Sequence, residues 1–417
     1  MTLLELVVAM SVLAIMMLGI AATIDSGLTL VRNNRNRSVA ANLASQEMDI
    51  VRETASASFT SLAPAVTTQN VAGVSYTVNR ELTWEAKNAN NGPCDAANQA
   101  PQVLRVHVWV DWPDRAGTLP ASSDTVLTPP VGAYDPNTGH IAVSVVDANA
   151  APEYGVNVSI NGPTSKSLPT NSDGCAFFAF LPAGSYTVSL GTPGYVDRQG
   201  HASPSQPVTV TVGQVQSLQF DYDQASSITA TLNPANGGVV PIDLPVTIAN
   251  TILVPTGTTT FTGSGNPRTI SNLFPANDGY QLWAGQCADA DPEGKDASGT
   301  AFYPSASRDD PVEVDPGATT AAGVTLTPLQ VHVVDQLSQP KAARTLVFVH
   351  AADNVCAGGE SHTVGTTDAS GNLDVSLPYG TWQVQELGHT AVTTWPSVTL
   401  SPLDTLPRAT LTVAGNG

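Results

Sequence analysis

The sequence predicts an α+β chain, with a long N-terminal α-helix, an antiparallel β-sheet head and three tandem β-sandwich domains. Three observations predict it. Residues 1–54 contain no proline and pass from a wholly apolar run to an amphipathic one. Residues 55–135 hold segments in which apolar and polar side chains alternate with a period of two. From Gly139 onward a strand-and-turn pattern recurs at spacings of roughly 85–105 residues, which suits repeated β-sandwiches better than a short-repeat solenoid.

The helix comes first. Between Met1 and Ile24 the only charged side chain is Glu5. At about 1.5 Å per residue this run is long enough to cross a bilayer core. It lacks the basic start of a cleavable signal peptide. From Leu28 to Glu53, Val39, Ala40, Leu43, Ala44, Met48 and Val51 recur at three- and four-residue steps. Arg32, Arg35, Arg37, Glu47, Asp49, Arg52 and Glu53 lie between them. One helix on the order of 80 Å is the simplest reading. Gly19 and Gly27 weaken it by roughly 1 kcal/mol each against alanine. The apolar part is placed at 1–27 and the amphipathic part at 28–54.

A lone ionised carboxylate in such a run is costly to bury. No basic side chain precedes Arg32, so the nearest cation for Glu5 is the α-amino group of Met1, on the same chain or a neighbour. Offset identical helices would bring Glu5 of one subunit to the amine of the next. That contact is heterologous and does not close, so it generates a helical filament.

The head, placed at 55–135, contains "VSYTVNRELTWEA" and "VLRVHVWVDW", both patterned as half-buried strands, and "TVLTPP" ends it near Pro130. The modules are placed at 136–224, 225–328 and 329–417. In the first, "GHIAVSVVDANA" precedes "TNSDGCAFFAFLPAGSYTVSLGTPGY". In the last, "LQVHVVDQLSQP" precedes "TTDASGNLDVSLPYGTWQVQEL". The middle copy is looser, with "SSITATL", "ISNLFPANDGYQLWAG" and "VEVDPGATTAAGVTL". Phe177, Phe178, Phe180, Tyr186 and Tyr195 fall at strand positions and read as core. "WVDWP" reads as strand packing, with sugar binding by an exposed tryptophan pair as the alternative.

The formal net charge of -19 excludes nucleic acid as a partner of the whole chain, because the summed field repels phosphates. Cys94, Cys175, Cys287 and Cys356 include no CxxC pair, and suggest two disulfides formed outside the cytoplasm with three possible pairings. Asp289, Asp291 and Glu293 are spaced like the start of a calcium loop. Thr300 stands where a bidentate glutamate belongs, so a solvated acidic loop is the preferred reading. His107, His140, His201, His332, His350, His362 and His389 show no paired-ligand spacing and read as surface or strand residues. No nucleophile elbow, P-loop or dinucleotide fingerprint is present, so neither an enzyme nor a cofactor is expected.

"TLLELVVAMSVLAIMMLGI" resembles the N-terminus of mature type IV pilins and of the pseudopilins of type II secretion. Met1, Thr2, Leu3, Leu4, Glu5, Leu6 and Val7 fit the family pattern, with methionine replacing the usual phenylalanine at position 1. Ala22 stands where many members have proline, and Gly19 is the candidate to loosen the helix instead. The resemblance implies a chain processed by prepilin peptidase and methylated at Met1, a filament core built from residues 1–27, and Glu5 pairing with a neighbour's N-terminal amine. It implies a helical homopolymer on the cell surface, raised by a pilus assembly machinery and held in the cytoplasmic membrane beforehand. Arg32, Arg35 and Arg37 run against that orientation by the positive-inside tendency; a basic leader, before its removal, would counter them.

"NSDGCAFFAFLPAGSYTVSL" and "DASGNLDVSLPYGTW" resemble immunoglobulin-like modules of the collagen-adhesin B and carboxypeptidase regulatory-like types, which usually act as spacers. A pilin with such modules resembles those of actinobacteria. No lysine lies in the first strand of any copy, so no lysine–asparagine crosslink is expected. Cys94 is the one cysteine of the head and Cys175 lies in the first module, while Cys287 and Cys356 lie in the middle and last modules. Cys94–Cys175 and Cys287–Cys356 are therefore the favoured pairs, and the others stay open. The rival readings are a minor pilin or secretion pseudopilin, and a monomeric membrane-anchored adhesin whose modules meet a surface receptor or glycan.

Overall fold

In the computed structural model a single helix of 55 residues, α1 (Leu3–Ala57), runs unbroken through Gly19 and Gly27. The structure describes residues 3–85, 94, 103–113, 115, 118–388, 395–402 and 406–413, and of the side chains in 3–26 it describes Met10, Leu13, Met16, Met17, Ile20, Thr23 and Ile24. Among the described residues no helix is long and apolar enough to cross a membrane. The helix ends where Ser58 N donates to Thr54 O at 2.8 Å, ahead of a short 3-10 turn at Phe59–Ser61 and of Pro64.

The head sheet has the order β1 (Ala65–Val71), β2 (Val74–Glu85), β3 (Val103–Asp111), β4 (Ala121–Leu127), and every pairing is antiparallel. The β1–β2 hairpin turns on Ala72 and Gly73, with φ of 51° and 83°. Both central residues are left-handed, as a two-residue turn matched to strand twist requires. Val106, Val108 and Val110 of β3 face Ala40, Leu43, Ala44, Met48 and Val51 of α1 in one core. That stripe follows the helical period, so the amphipathic half of α1 buries one face against the sheet.

The first module holds β5 (Thr138–Val146), β6 (Asn157–Asn161), β7 (Lys166–Pro169), β8 (Cys175–Pro182), β9 (Gly184–Leu190), β10 (Tyr195–Asp197), β11 (Ser205–Val210) and β12 (Val215–Gln224). They form two four-stranded sheets ordered β10-β12-β5-β8 and β11-β9-β6-β7. The second holds β13 (Ser226–Asn233), β14 (Val246–Ala249), β15 (Thr258–Phe261), β16 (Arg268–Leu273), β17 (Ala276–Ala284), β18 (Val312–Val314) and β19 (Thr319–Thr325). The third holds β20 (Thr327–Asp335), β21 (Thr345–His350), β22 (Glu360–Thr366), β23 (Asn372–Leu377), β24 (Gly380–Glu386), β25 (Ser397–Leu400) and β26 (Arg408–Val413). The second and third each pair a three-stranded sheet, β16-β13-β19 or β23-β20-β26, with a four-stranded one, β15-β14-β17-β18 or β22-β21-β24-β25. In each of these two, both sheets contribute to a single apolar core. Their first strands lie parallel to their last, β13 with β19 and β20 with β26.

The repeated turns have a common physical cause. Asn171 Oδ1 accepts from Asp173 N and Cys175 N at 3.0 and 2.9 Å, and Asp368 Oδ1 accepts from Ser370 N and Asn372 N at 2.8 Å each. Gly174 and Gly371 close these turns at φ of 65° and 73°, and a Cβ there would lie 2.5 Å from Val145 O or Val333 O. An aromatic donor then ties each module to its preceding turn. Tyr186 donates to Pro182 O at 3.0 Å, Tyr280 to Phe274 O at 2.7 Å and Trp382 to Pro378 O at 3.1 Å. A buried aromatic with a polar tip fills core volume and satisfies its own donor at once.

The chain divides into two units. One comprises Met1–Val145, Pro152–Ser189 and Ser205–Gln219; the other comprises Val146–Ala151, Leu190–Pro204 and Phe220–Gly417.

Candidate assembly helix and inter-module seam

In the first unit the two halves of α1 differ. Met10, Leu13, Met16, Met17, Ile20 and Ile24 are 54–65% exposed, whereas Ala40, Ala44, Met48 and Val51 are at most 2% exposed. Six large apolar side chains facing solvent on one helix form the kind of exposed surface that marks contact sites for protein or membrane. Met1 and Thr2 lie outside the described residues, as does the side chain of Glu5. Arg32, Arg35 and Arg37 are exposed.

The second half of α1 is fixed by polar contacts as well as by its apolar stripe. Arg80 Nη1 of β2 donates to Glu47 Oε1 at 2.9 Å, with the side chains 15% and 10% exposed, and Arg80 Nε donates to Ala63 O at 2.9 Å. Tyr76 donates to Asn36 Oδ1 at 3.2 Å. Burial, opposed by the nearby Arg35 charge, raises the Tyr76 phenol above its ordinary range. Trp112 is 4% exposed and packs in this core, while Trp109 is half-buried and stacks on His107 at 5.3 Å. The two tryptophans of "WVDWP" therefore do not present a joint exposed face.

Cys94 and Cys175 form one disulfide, with Cα atoms 5.8 Å apart, joining the β2–β3 connection to the start of β8. Of the strand aromatics, Phe178 and Tyr186 are 1% and 2% exposed. Phe180 sits at a φ of 54° and stacks on Tyr134 at 3.4 Å. His140 is buried, accepts from Phe180 N at 3.2 Å, and is pulled down to about 4 by burial, so its imidazole is neutral.

In the second unit Cys287 and Cys356 form the other disulfide, with Cα atoms 4.5 Å apart, and they join the second module to the third. Around them lies a dense seam. Val239 of the second module donates to Asp374 O and accepts from Ser376 N, each at 2.9 Å, adding a short parallel bridge to the edge of β23. Ala288 N donates to Val355 O at 3.0 Å. Tyr303 donates to Asp289 O at 2.8 Å, and its hydroxyl oxygen lies 3.3 Å from Leu400 O.

Two buried histidines sit at its centre. His350 Nε2 lies 3.1 and 3.0 Å from the two carboxylate oxygens of Asp289. His362 lies between two carboxylates, with Nδ1 2.9 Å from Asp243 Oδ1 and Nε2 2.8 Å from Glu360 Oε1. Both imidazoles flank Trp382, at ring separations of 5.8 and 5.9 Å. Ionised carboxylates only accept, so this placement between two of them favours donation through both ring nitrogens of His362, the imidazolium form. The Asp289 hydrogen bond raises His350 against the opposing effect of burial. Burial lowers His362, and Glu360 and Asp243 more than offset it, so its net shift is also upward.

The acidic run 289–293 is organised by cations of the chain. Asp291 accepts from Arg308 Nε and Nη2 at 2.8 and 2.6 Å, Glu293 lies 3.9 Å from the same guanidinium, and Asp289 is taken by His350. Among the described residues the one cluster of three metal-type ligands is Cys287, His350 and Cys356, whose sulfurs are joined as a disulfide and offer no thiolate. Elsewhere His107 pairs with Asp124 at 2.9 Å, His201 with Asp197 at 3.2 Å and His332 with Asn372 at 2.8 Å. His389 lies outside the described residues.

Residues 140–222 match the family model described as the carboxypeptidase regulatory-like domain. No curated protein matches the chain. Among solved structures, the chain is 12% identical to the Bacillus anthracis TIE protein, covering 85% of this chain and 74% of that one at a TM-score of 0.22. It is 13% identical to BcpA, the major pilin subunit of Bacillus cereus, over 66% of this chain and 98% of that one, with a TM-score of 0.20. For a streptococcal ancillary pilin the values are 11%, 88%, 86% and 0.18. Superpositions this loose carry no functional weight. In architecture, the chain is one N-terminal helix followed by β-sheet domains, the first module of which matches a regulatory-like family.

Proposed function

We propose that this chain is a structural subunit, the major pilin, of a bacterial type IV pilus. The observation that carries the reading is the pairing of the Met1–Val7 motif with an unbroken helix whose second half is packed under a sheet and whose first half presents apolar side chains to solvent. Such a helix is half of an interface, and identical helices in offset register supply the other half. Glu5 sets the stagger by pairing with a neighbour's amine. Before assembly the same helix sits in the cytoplasmic membrane, and filament growth exchanges lipid contacts for helix contacts. The modules then form the outer surface as spacers or adhesive units.

Mass spectrometry of filaments sheared from cells tests this reading. The expected result is this chain as the dominant protein, with an N-terminal peptide that begins at Met1 and carries one methyl group on its amine. A trace amount in filaments built from another pilin would assign it to the minor-pilin class. Recovery only as single copies in the membrane fraction would contradict assembly and favour an anchored adhesin.

A further inference from the structure

We propose that His350 and His362 form a proton-dependent clamp, which holds the second module against the third while both imidazoles are charged and lets the seam open when they lose their protons. The clamp is distinct from the assembly helix and does not depend on the pilus reading.

The geometry carries it. Each histidine belongs to the third module, and each takes a carboxylate from the second, Asp289 in one case and Asp243 in the other. The side chains of His350 and His362 are 5% and 4% exposed, so these pairs are shielded from solvent on the imidazole side. The groups facing His362 are Asp243, Glu360 and the Trp382 ring. Arg268 of β16 acts on Asp243 through its charge. Glu360 also accepts from Gln286 N at 3.2 Å and lies 3.5 Å from Cys287 Sγ, so its second oxygen is committed to the second module. The groups facing His350 are Asp289, the Ala351 carbonyl, the Asp353 charge and Trp382. Asp289 is itself held by Thr381 N at 3.3 Å. No cationic side chain other than these two imidazoles pairs with Asp289 or Glu360 among the described residues. Deprotonation removes the charge that Asp289 and Glu360 pair with: neutral His362 can donate to only one of Asp243 and Glu360 and turns its other nitrogen, now an acceptor, on the second carboxylate, while neutral His350 keeps one donor for Asp289 and turns its other nitrogen on the Ala351 carbonyl.

The sign follows from the raised imidazoles. A group whose folded value lies above its unfolded one contributes fully below the unfolded value, about 6.5 for histidine, and its contribution is lost as pH rises through the folded value. The clamp is closed in acid-to-neutral solution and opens on the alkaline side. The disulfide Cys287–Cys356 and the Val239 bridge persist, so the event is local opening with the modules still tethered.

Hydrogen–deuterium exchange on the full chain with its disulfides intact tests the clamp. Protection of peptides spanning residues 286–290 and 360–366 is compared at about pH 6 and about pH 9, after correction for intrinsic exchange. The expected result is a loss of protection in the wild type at the higher pH, since raised imidazoles lose their stabilising charge as pH rises. The double variant His350→Gln/His362→Gln should show low protection that does not change with pH. Asp243→Asn, at a side chain 52% exposed, should keep the fold and shrink the wild-type pH response. Flat protection in the wild type overturns the clamp. So does an undiminished pH response in the double variant or, should that variant fail to fold, in Asp243→Asn.

Discussion

Glu5→Ala is expected to abolish incorporation of the subunit into filaments while leaving its display in the membrane intact. In a bundle of apolar helices, removing one partner of a buried ion pair leaves the other charge unpaired at a cost of about 3–5 kcal/mol. At about 1.4 kcal/mol per tenfold, that weakens each subunit addition by roughly 100- to 4,000-fold. A polymer multiplies the effect, because every subunit repeats the defect. Glu5→Gln should be milder, since its amide can still accept from the amine without matching its charge. The check is the amount of chain in sheared filaments against the amount in membranes. Normal filament yield from Glu5→Ala would remove the pairing from the mechanism.

The second large effect is expected from Arg80→Ala. It strands Glu47 in the seam between α1 and the head sheet, where the two side chains are 10% and 15% exposed. A fully buried pair broken on one side costs about 3–5 kcal/mol, and the residual exposure here brings the expectation to roughly 2–3 kcal/mol. The same change frees the Ala63 carbonyl from its partner. Urea unfolding of the full chain, followed by tryptophan fluorescence, to which Trp84, Trp109 and Trp112 of the head and Trp283, Trp382 and Trp395 of the later modules contribute, should show an earlier first transition and an unchanged later one. The double variant Glu47→Leu/Arg80→Met should recover most of the loss, because well-packed apolar replacements remove the desolvation penalty together with the attraction. If Arg80→Ala leaves the first transition in place, the Arg80–Glu47 pair does not hold the helix to the sheet.

Local patterns in the sequence carry the parts of this fold that depend on neighbours. Ala40, Leu43, Ala44, Met48 and Val51 announce the buried helix face through their spacing, and that face is the one packed on the sheet. β2 and β3 follow from alternation broken at Arg80, Val103 and Trp109, and "NSDG" and "DASG" mark the turns closed by Gly174 and Gly371. Glu47 shows where this reading reaches its limit. It falls on the same face as Ala40, Ala44 and Val51, but its charge assigns it to the polar side unless Arg80, 33 residues away, is known to meet it. The seam is further out of reach. Asp289 and His350 are 61 residues apart, and Asp243 and His362 are 119 apart. No periodicity links such pairs, and each histidine alone reads as an ordinary strand residue. The acidic run 289–293 resembles a cation loop in spacing, while the cations that organise it, Arg308 and His350, come from elsewhere in the chain. The parallel pairing of first and last strands in the second and third modules is a similar case, because alternation reports a strand's faces but not its neighbours.

The central claim is that this chain polymerises through its N-terminal helix. Cryo-electron microscopy of filaments sheared from cells, with density traced into this sequence, tests it most directly. The account predicts a continuous filament with residues 1–27 in a central helical bundle, Glu5 against the Met1 amine of a neighbouring subunit, and the three modules on the outside. A filament whose density traces into a different protein, or one whose core excludes these residues, would contradict it.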